Sequence, residues 1–217
     1  MTHFVILVED QSGETALKSL VPKIIDSQAS FEIHSYKGCG EVPQGLKPKT
    51  DAAKRILLDS LPRLLNGFGQ RYKNSGLRAV VVVVCDLDKR DYRQFVEELN
   101  WVKQNCKNPL DTYFALAVEE GEAWLLGDLT AITTAYPKAK KDVLKRYKND
   151  SICDTWELLA DALVVGGAKK LKQEGWNAIG KEKNEWARKI APHIDVTENK
   201  SPSFQRFRGY LIDELGK

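Results

Sequence analysis

The sequence predicts an α/β fold in which helices flank a mostly parallel central sheet. Residues 80–84 are five consecutive valines, and an apolar run without a polar face is typical of a strand buried on both sides. The shorter apolar runs His3–Val8 and Tyr113–Val118 alternate along the chain with segments of helical periodicity. This order favours parallel strands that are joined by crossover helices.

The individual elements follow from the same periodicities and from the turn residues. The first strand, His3–Val8, leads into a helix whose N-cap is predicted at Ser12. A later helix, Asp51–Phe68, is expected to be bent or interrupted by Pro62. The other elements before residue 128 are a strand at Phe31–Tyr36, a loop at Lys37–Lys49, the valine strand that stops at Asp86, a helix at about Asp91–Cys106 and a strand at Tyr113–Val118.

Beyond residue 128 the strand-like runs become scarce. The chain there predicts several short helices, with a break between two of them at Gly166-Gly167. A final helix is expected near Pro202–Leu215, with Ser203 as its N-cap. We therefore expect an α/β core at residues 1–128 and a helical region at residues 129–217 that packs on this core.

Composition restricts the class of protein. The 217 residues carry a net charge of +3, which is too small to indicate nucleic-acid binding by itself. The N-terminus lacks the features of a signal peptide, and no apolar run approaches the ~20 residues of a membrane span, so we expect a soluble, cytoplasmic protein without a membrane partner. The cysteines form no CxxC pair and no cluster with histidines, which predicts free thiols. They are Cys39, Cys85, Cys106 and Cys153.

Carboxylates follow three of the predicted strands. Glu9 follows the first strand, Asp86 and Asp88 end the valine strand, and Glu120 and Glu122 follow the last strand of the core. The carboxyl ends of parallel strands lie at one edge of a sheet, where open sheets bind their ligands. Side chains two apart in a strand project to the same side, so Asp86 and Asp88 are expected side by side. A divalent cation is the usual way to hold such a pair.

These acids predict a metal site with distinct roles. We assign Asp86 and Asp88 as ligands of Mg²⁺ or Mn²⁺, and Glu9 as a further ligand or the general base. Glu120 and Glu122 are candidates for the ligands of a second metal ion. The alternatives are helix capping by the Asp-x-Asp segment and the acidic bias of a first helical turn at residues 119–122.

Three further features each allow two interpretations. Lys89 and Arg90 are candidates to hold a substrate phosphate, and a solvated charged turn is the alternative. Trp124 is interpreted as a core residue rather than a platform for stacking bases. The lysine-rich stretches after residue 137 are interpreted as solvated helix faces rather than a surface that follows a nucleic-acid backbone.

Four sequence blocks occur in an order that resembles a known family. They resemble a prokaryotic domain-of-unknown-function family of small TOPRIM-like proteins, related to the TOPRIM domains of overcoming-lysogenization-defect (OLD) type nucleases. The chain departs from that pattern at Asp10, where the family has glycine, so Glu9 and Glu14 are one residue further apart. The blocks are Val8-Glu9 with Ser12 and Glu14, Cys85-Asp86-Leu87-Asp88, Glu120-Gly121-Glu122-Ala123-Trp124-Leu125-Leu126, and Ser201-Pro202-Ser203-Phe204.

The resemblance implies a TOPRIM-like, Rossmann-like sheet and a Mg²⁺- or Mn²⁺-dependent nuclease. It also implies DNA or RNA as a partner, and an ABC-type ATPase that acts beside the protein in a defence-like system. The alternative is a catalytically silent TOPRIM-like module that binds the ATPase or nucleic acid. A haloacid-dehalogenase-type phosphatase is disfavoured because its motif lies on the first strand and has Thr or Val where this chain has Arg90. A dinucleotide or P-loop enzyme is disfavoured because neither glycine motif is present.

Overall fold

The computed structural model describes residues 1–47, 50–150 and 154–217. Its centre is a four-stranded, all-parallel sheet with the strand order β2-β1-β3-β4, which confirms the predicted α/β class. The strands are β1 (Thr2–Val8), β2 (Ser30–Ser35), β3 (Arg78–Asp86) and β4 (Asp111–Ala117). The helices in the described ranges are α1 (Gln11–Ile25), α2 (Leu61–Tyr72), α3 (Tyr92–Asn105), α4 (Glu122–Leu126), α5 (Leu129–Ala135), α6 (Lys141–Leu144), α7 (Thr155–Leu163), α8 (Gly167–Glu174), α9 (Trp176–Ile190) and α10 (Pro202–Leu215).

The valine strand β3 separates two hydrophobic cores. Val80, Val82 and Val84 belong to the core on one face of the sheet. Val81 and Val83 belong to the core on the other face. Successive side chains of a strand point to opposite faces, so a strand covered on both sides needs apolar residues at every position. This is the physical reason for the uninterrupted valine run.

The two cores are closed by different helices. The first core takes buried side chains from α1, α4, α9 and α10, among them Trp186, Phe204 and Phe207. The second core is closed by α2 and α3, with Leu65 and Leu99 fully buried. The helices that follow residue 128 therefore share one hydrophobic core with the sheet.

The order of the strands reverses at the centre of the sheet. From β1 the chain continues through α1 to β2 on one side, and from β3 it continues through α3 to β4 on the other side. The carboxyl ends of β1 and β3 thus flank a topological switch point, where open α/β sheets form their ligand crevice. Glu9 and Asp86 stand at these two strand ends.

Two local predictions in the first half of the chain are wrong. The N-cap of α1 is Asp10, whose carboxylate accepts a hydrogen bond from the N–H of Gly13 at 2.7 Å, and Ser12 donates to the same carboxylate. Pro62 does not bend a helix, because α2 begins at Leu61 and the proline lies in its first turn, where no intrahelical hydrogen bond is lost. Residues 51–60 contain short 3₁₀ turns instead of a continuous helix.

Helix α10 has the predicted bounds Pro202–Leu215, but its predicted N-cap is wrong. The hydroxyl of Ser201, and not that of Ser203, accepts the hydrogen bond from the N–H of Phe204 that caps α10. The predicted break at Gly166-Gly167 is confirmed, since α7 ends at Leu163 and α8 begins at Gly167.

The remaining predictions concern cysteines, membranes and lysines. Cys39, Cys85 and Cys106 are free and buried, whereas Cys153, like Lys49 at the end of the predicted loop, lies outside the described residues. No helix in the described ranges is long and apolar enough to cross a membrane. The lysines that begin α6 and populate α8 are exposed, which agrees with solvated helix faces. They are Lys141, Lys169, Lys170 and Lys172.

Candidate metal centre

The strand ends at the switch point place two of the predicted acids in contact. Glu9 directly follows β1, and Asp86 is the last residue of β3. The Oε2 atom of Glu9 accepts a hydrogen bond from the backbone N–H of Asp86 at 3.0 Å. Because β1 and β3 are paired in the sheet, this bond holds the Glu9 carboxylate at the mouth of the crevice.

A third acid, Glu122, comes to the same place from α4. Glu122 is the first residue of α4 and is only 3% exposed. With Glu9, Asp10 and Asp86 it lines a small enclosed cavity of about 40 Å³. A single water needs about 10–15 Å³ of such volume. The cavity therefore has room for one ion or a few water molecules, and four carboxylate residues line it among mostly apolar side chains.

Burial raises the pKa of Glu9, Asp86 and Glu122 at this cavity. For Asp86 the pKa lies well above its ordinary value because of burial and the charge of Glu9. Burial also raises the pKa of Glu9, and the N–H of Asp86 only partly offsets the rise. The pKa of Glu122 is raised by burial, against the lowering effect of Lys183. Buried carboxylates that repel one another are stabilised by a nearby cation or by protons.

Within the part of the chain that the structure describes, Lys183 of α9 is a cation that lies against these acids. Its Nζ atom lies 2.9 Å from Oε2 of Glu122 and 3.7 Å from Oε2 of Glu120. Burial lowers the pKa of Lys183, but the charges of Glu122, Asp86 and Glu120 outweigh burial and raise it above the ordinary value. Lys183 is therefore charged and serves as a counter-ion for the acids.

Lys183 is the functional residue that sequence reasoning missed. It lies in the stripe of α9 that faces the core, between Ile179 and Trp186, both of which are buried. A lysine at an apolar position of an amphipathic helix is costly unless an acid meets it. This position was the signal in the sequence that indicated a buried acidic partner.

The other predicted acids lie in a second, outer cavity. Asp88, Glu119 and Glu120 line a cavity of about 370 Å³ together with Lys89. Here the expectation that Asp86 and Asp88 project side by side from a strand is wrong, because β3 ends at Asp86 and Asp88 has a left-handed φ of 51°. Burial raises the pKa of Glu120 to about 7, which the charge of Lys183 opposes.

Within residues 1–47, 50–150 and 154–217, no three Asp, Glu, His or Cys side chains lie close enough together to hold a metal ion. The donors at the inner cavity nevertheless fit Mg²⁺ or Mn²⁺ in kind, since these ions prefer carboxylate oxygens. The inner cavity is also small enough for a single ion. In this structure Lys183 supplies the positive charge that the acids require.

Residues 8–212 match the model of a family described as a domain of unknown function (DUF4276). The chain belongs to the DUF4276 family. No curated protein and no solved structure matches it. The DUF4276 match includes every acid of both cavities and Lys183, so the candidate metal centre lies within the family domain.

Glu119, Asp88 and Arg90 of this DUF4276 domain each bind other groups of the protein. Glu119 accepts hydrogen bonds from the N–H groups of Asp154 and Thr155 at the start of α7, so its carboxylate serves that later helix and not the first turn of α4. Arg90 pairs with Asp88 at 3.2 Å and donates to the carbonyl of Gly40 at 3.1 Å. Arg90 thereby ties the turn after β3 to the loop after β2.

Lys89 lines the outer cavity and is exposed. Its side chain can reach a phosphate that approaches this cavity, whereas the guanidinium of Arg90 already has protein partners. The phosphate-binding roles of Lys89 and Arg90 remain predictions.

Two of the four blocks of the family resemblance, the one that contains Trp124 and the one that contains Ser203, meet in the core and position the site. Trp124 of α4 is 4% exposed and donates from Nε1 to the hydroxyl of Ser203 at 3.0 Å. Its ring stacks on Phe207 with the centroids 5.0 Å apart, which confirms Trp124 as a core residue. The carbonyl of Trp124 accepts from the side-chain amide of Asn199 at 2.8 Å. These contacts fix α4 and hence place Glu122 at the inner cavity.

Proposed function

We propose that this protein is a metal-dependent phosphodiester hydrolase, a nuclease of TOPRIM type. The observation that carries the proposal is that Glu9, Asp86 and Glu122 all line one small cavity at the switch point of the sheet. Each of these acids has a raised pKa, and together they exceed the charge that Lys183 can neutralise. Such a group of acids favours the uptake of a hard divalent cation.

A bound Mg²⁺ or Mn²⁺ would neutralise charge on the scissile phosphate and acidify a water molecule. Asp86 and Glu122 would hold it, and Asp88 and Glu120 are the candidates for a second ion at the outer cavity. Glu9 is fixed by its hydrogen bond from Asp86, and its raised pKa suits a general base that takes the proton of the attacking water.

The side chains around the outer cavity supply the contacts for substrate. Lys89 is placed to bind a phosphate beside the acids. Arg90 would join it if its guanidinium exchanged its contact with Asp88 for one with the substrate. The proposed substrate is DNA or RNA.

The proposed partners rest on the resemblance to TOPRIM proteins. They are nucleic acid and an ABC-type ATPase, in a defence-like system of the cytoplasm. The family match is to a domain of unknown function, so the ATPase needs its own test. Co-purification of an ABC-type ATPase with the tagged protein from its own host is the direct test.

The nuclease proposal is tested by incubating plasmid DNA, single-stranded DNA and RNA with the protein, with Mg²⁺, Mn²⁺ or EDTA. We expect metal-dependent cleavage of at least one substrate, and its loss in Asp86→Asn, which keeps the size of the side chain. The matched control is Asp142→Asn, since the Asp142 side chain is 77% exposed and lies in α6. Cleavage that survives Asp86→Asn, or that continues in EDTA, would refute the assignment of the site.

A second candidate function is a catalytically silent module that binds an ATPase partner or nucleic acid. The observation that favours it is the ion pair of Lys183 with Glu122 at 2.9 Å, which gives the acids a cation of the protein's own. If wild type cuts none of the substrates, with or without the co-expressed ATPase, this second function replaces the first.

A further inference from the structure

A third cavity lies between the loop after β2 and helix α3. Its volume is about 630 Å³, within the range of sites that hold small molecules or single nucleotides. Val42 and Pro43 of the loop form one wall, and Phe95 and Trp101 of α3 form the other. We call this cavity the α3 groove.

Trp101 gives the α3 groove a flat aromatic surface. The residue is 46% exposed, whereas Phe95, six residues earlier in the same helix, is buried at 2%. Trp101 therefore supplies the exposed ring of the groove, whereas Phe95 belongs mainly to the core. An exposed indole on a cavity wall is the surface on which nucleobases stack, largely independent of their sequence.

The carboxylates beside Trp101 give this part of the groove hydrogen-bond acceptors, and Arg90 is the cation of its lining. Glu97 and Glu98 line it, and they precede Trp101 by four and three residues, which places them on its side of the helix. Gln94 donates to Glu98 at 2.9 Å. Carboxylates repel phosphate but accept hydrogen bonds from the N–H groups of a base. Guanine presents two neighbouring donors, N1–H and N2–H, that match the two oxygens of one carboxylate.

Arg90 connects the α3 groove with the acids. It lines the groove, its guanidinium lies 4.7 Å from the centroid of the Phe95 ring, and it pairs with Asp88 at 3.2 Å. The ion pair of Arg90 with Asp88, which lines the outer cavity, therefore makes the α3 groove and the outer cavity neighbours. A nucleic-acid strand with a phosphate beside Lys89 can extend a base from there toward Trp101.

We propose that the α3 groove binds a base of single-stranded nucleic acid, with a preference for guanine. Trp101 stacks on the base, and Glu97 or Glu98 accepts its N–H groups. This inference rests on the proposed function, because it makes the groove the subsite that sets the sequence preference of the nuclease. A basic protein segment is the competing occupant, since carboxylates and an indole also bind arginine.

The test measures binding by fluorescence anisotropy, with labelled oligothymidylates that carry one central guanine, adenine, cytosine or thymine. Ca²⁺ replaces Mg²⁺ so that the probes stay intact. We expect the guanine probe to bind tightest. Trp101→Ala should weaken it about ten-fold, whereas Trp101→Phe should retain most of the affinity. The double variant Glu97→Gln/Glu98→Gln should remove the preference for guanine.

The matched control is Trp176→Ala. Trp176 is 81% exposed at the start of α9 and does not line the groove, so the order of affinities for the four probes should not change. Equal binding of the four probes by wild type, or unchanged binding by Trp101→Ala, would overturn the proposal. An oligoarginine peptide whose binding is lost in Trp101→Ala, while the oligonucleotides bind as before, would assign the groove to a basic protein partner instead.

These outcomes are separate from those of the cleavage test. Trp101-dependent binding without cleavage would refute the nuclease proposal and support the base-binding groove. Cleavage that depends neither on Trp101 nor on the central base would support the nuclease proposal and refute the base-binding groove. Urea unfolding of each variant verifies that the surface substitutions leave the fold intact.

Discussion

Replacing Lys183 by methionine tests the electrostatic reasoning about the site most directly. Methionine has a similar length, so the change removes the charge from between Glu122, Glu120 and Asp86 while retaining most of the packing. The Lys183 side chain is 16% exposed and that of Glu122 is 4% exposed, so water replaces little of the lost interaction. The acids then face one another without a counter-ion of the protein's own.

The expected cost follows from the burial of the pair. Removing one partner of a buried ion pair typically destabilises a protein by about 3–5 kcal/mol. We expect about 3 kcal/mol at pH 8 for Lys183→Met, because the acids can take up a proton in compensation. Their pKa values are already raised, and protonation becomes easier as the pH falls. The loss of stability caused by Lys183→Met should therefore become smaller toward pH 5.

Urea unfolding monitored by circular dichroism measures this difference. A matched surface control is Lys170→Met, which breaks an exposed i,i+4 pair with Glu174 at 3.6 Å and should cost less than about 0.5 kcal/mol. The double variant Lys183→Met/Glu122→Gln should recover much of the loss, and Mg²⁺ should stabilise Lys183→Met more than wild type. A Lys183→Met protein within about 1 kcal/mol of wild type at pH 8 would refute the role of Lys183 as counter-ion.

Three further predictions concern neighbouring groups. Asp86→Asn should raise the free energy of unfolding by more than about 1 kcal/mol at pH 8 while weakening Mg²⁺ binding, because burial and Glu9 raise the pKa of Asp86. The gain should vanish near pH 4, where Asp86 of the unfolded chain is itself half protonated, and a loss of stability at pH 8 would contradict this. Glu120 has a pKa raised from 4.5 to about 7, so its charge destabilises the folded state above pH 7, and this penalty fades as the pH falls to 4.5. The free energy of unfolding of wild type should therefore rise as the pH falls from 8 to 5, and Glu120→Gln should make this rise smaller. Urea unfolding across this pH range measures it, and an equal rise in both proteins would contradict the raised pKa of Glu120. Ser203→Ala should cost about 1–3 kcal/mol in the same assay because it leaves the buried Nε1–H of Trp124 without its acceptor, whereas Ser75→Ala, at an exposed hydroxyl, should cost far less.

The fold was predictable wherever apolar periodicity governs the structure. The valine strand, the strand before it and the final helix Pro202–Leu215 were found within a residue or two of their bounds, because each must bury a continuous face. Caps were not predictable in the same way. Asp10 and Ser201 each compete with a second polar residue nearby, and sequence does not reveal which side chain reaches the free N–H groups.

The acids of the site could be predicted from the sequence, whereas its cation could not. Strand ends locate Glu9 and Asp86, since parallel topology brings these ends to one edge. The position of Asp88 was not predictable from alternation, because the strand ends before it and its backbone turns into the left-handed region. Lys183 comes from a helix nearly a hundred residues later along the chain, and only the tertiary packing of α9 on α1 and α4 brings it to the acids.

The position of Lys183 also makes Mg²⁺ affinity informative about the two candidate functions. The inner acids need positive charge, and Lys183 and a divalent ion offer it to the same carboxylates. In a nuclease the divalent ion must compete with the lysine, so Lys183→Met should bind Mg²⁺ more tightly than wild type. A silent module in which the lysine alone satisfies the acids should show no Mg²⁺ binding at the millimolar concentrations of isothermal titration calorimetry. Wild-type Mg²⁺ binding that is lost in Asp86→Asn would therefore place a divalent ion at the inner acids, and the cleavage test then decides whether that ion supports turnover.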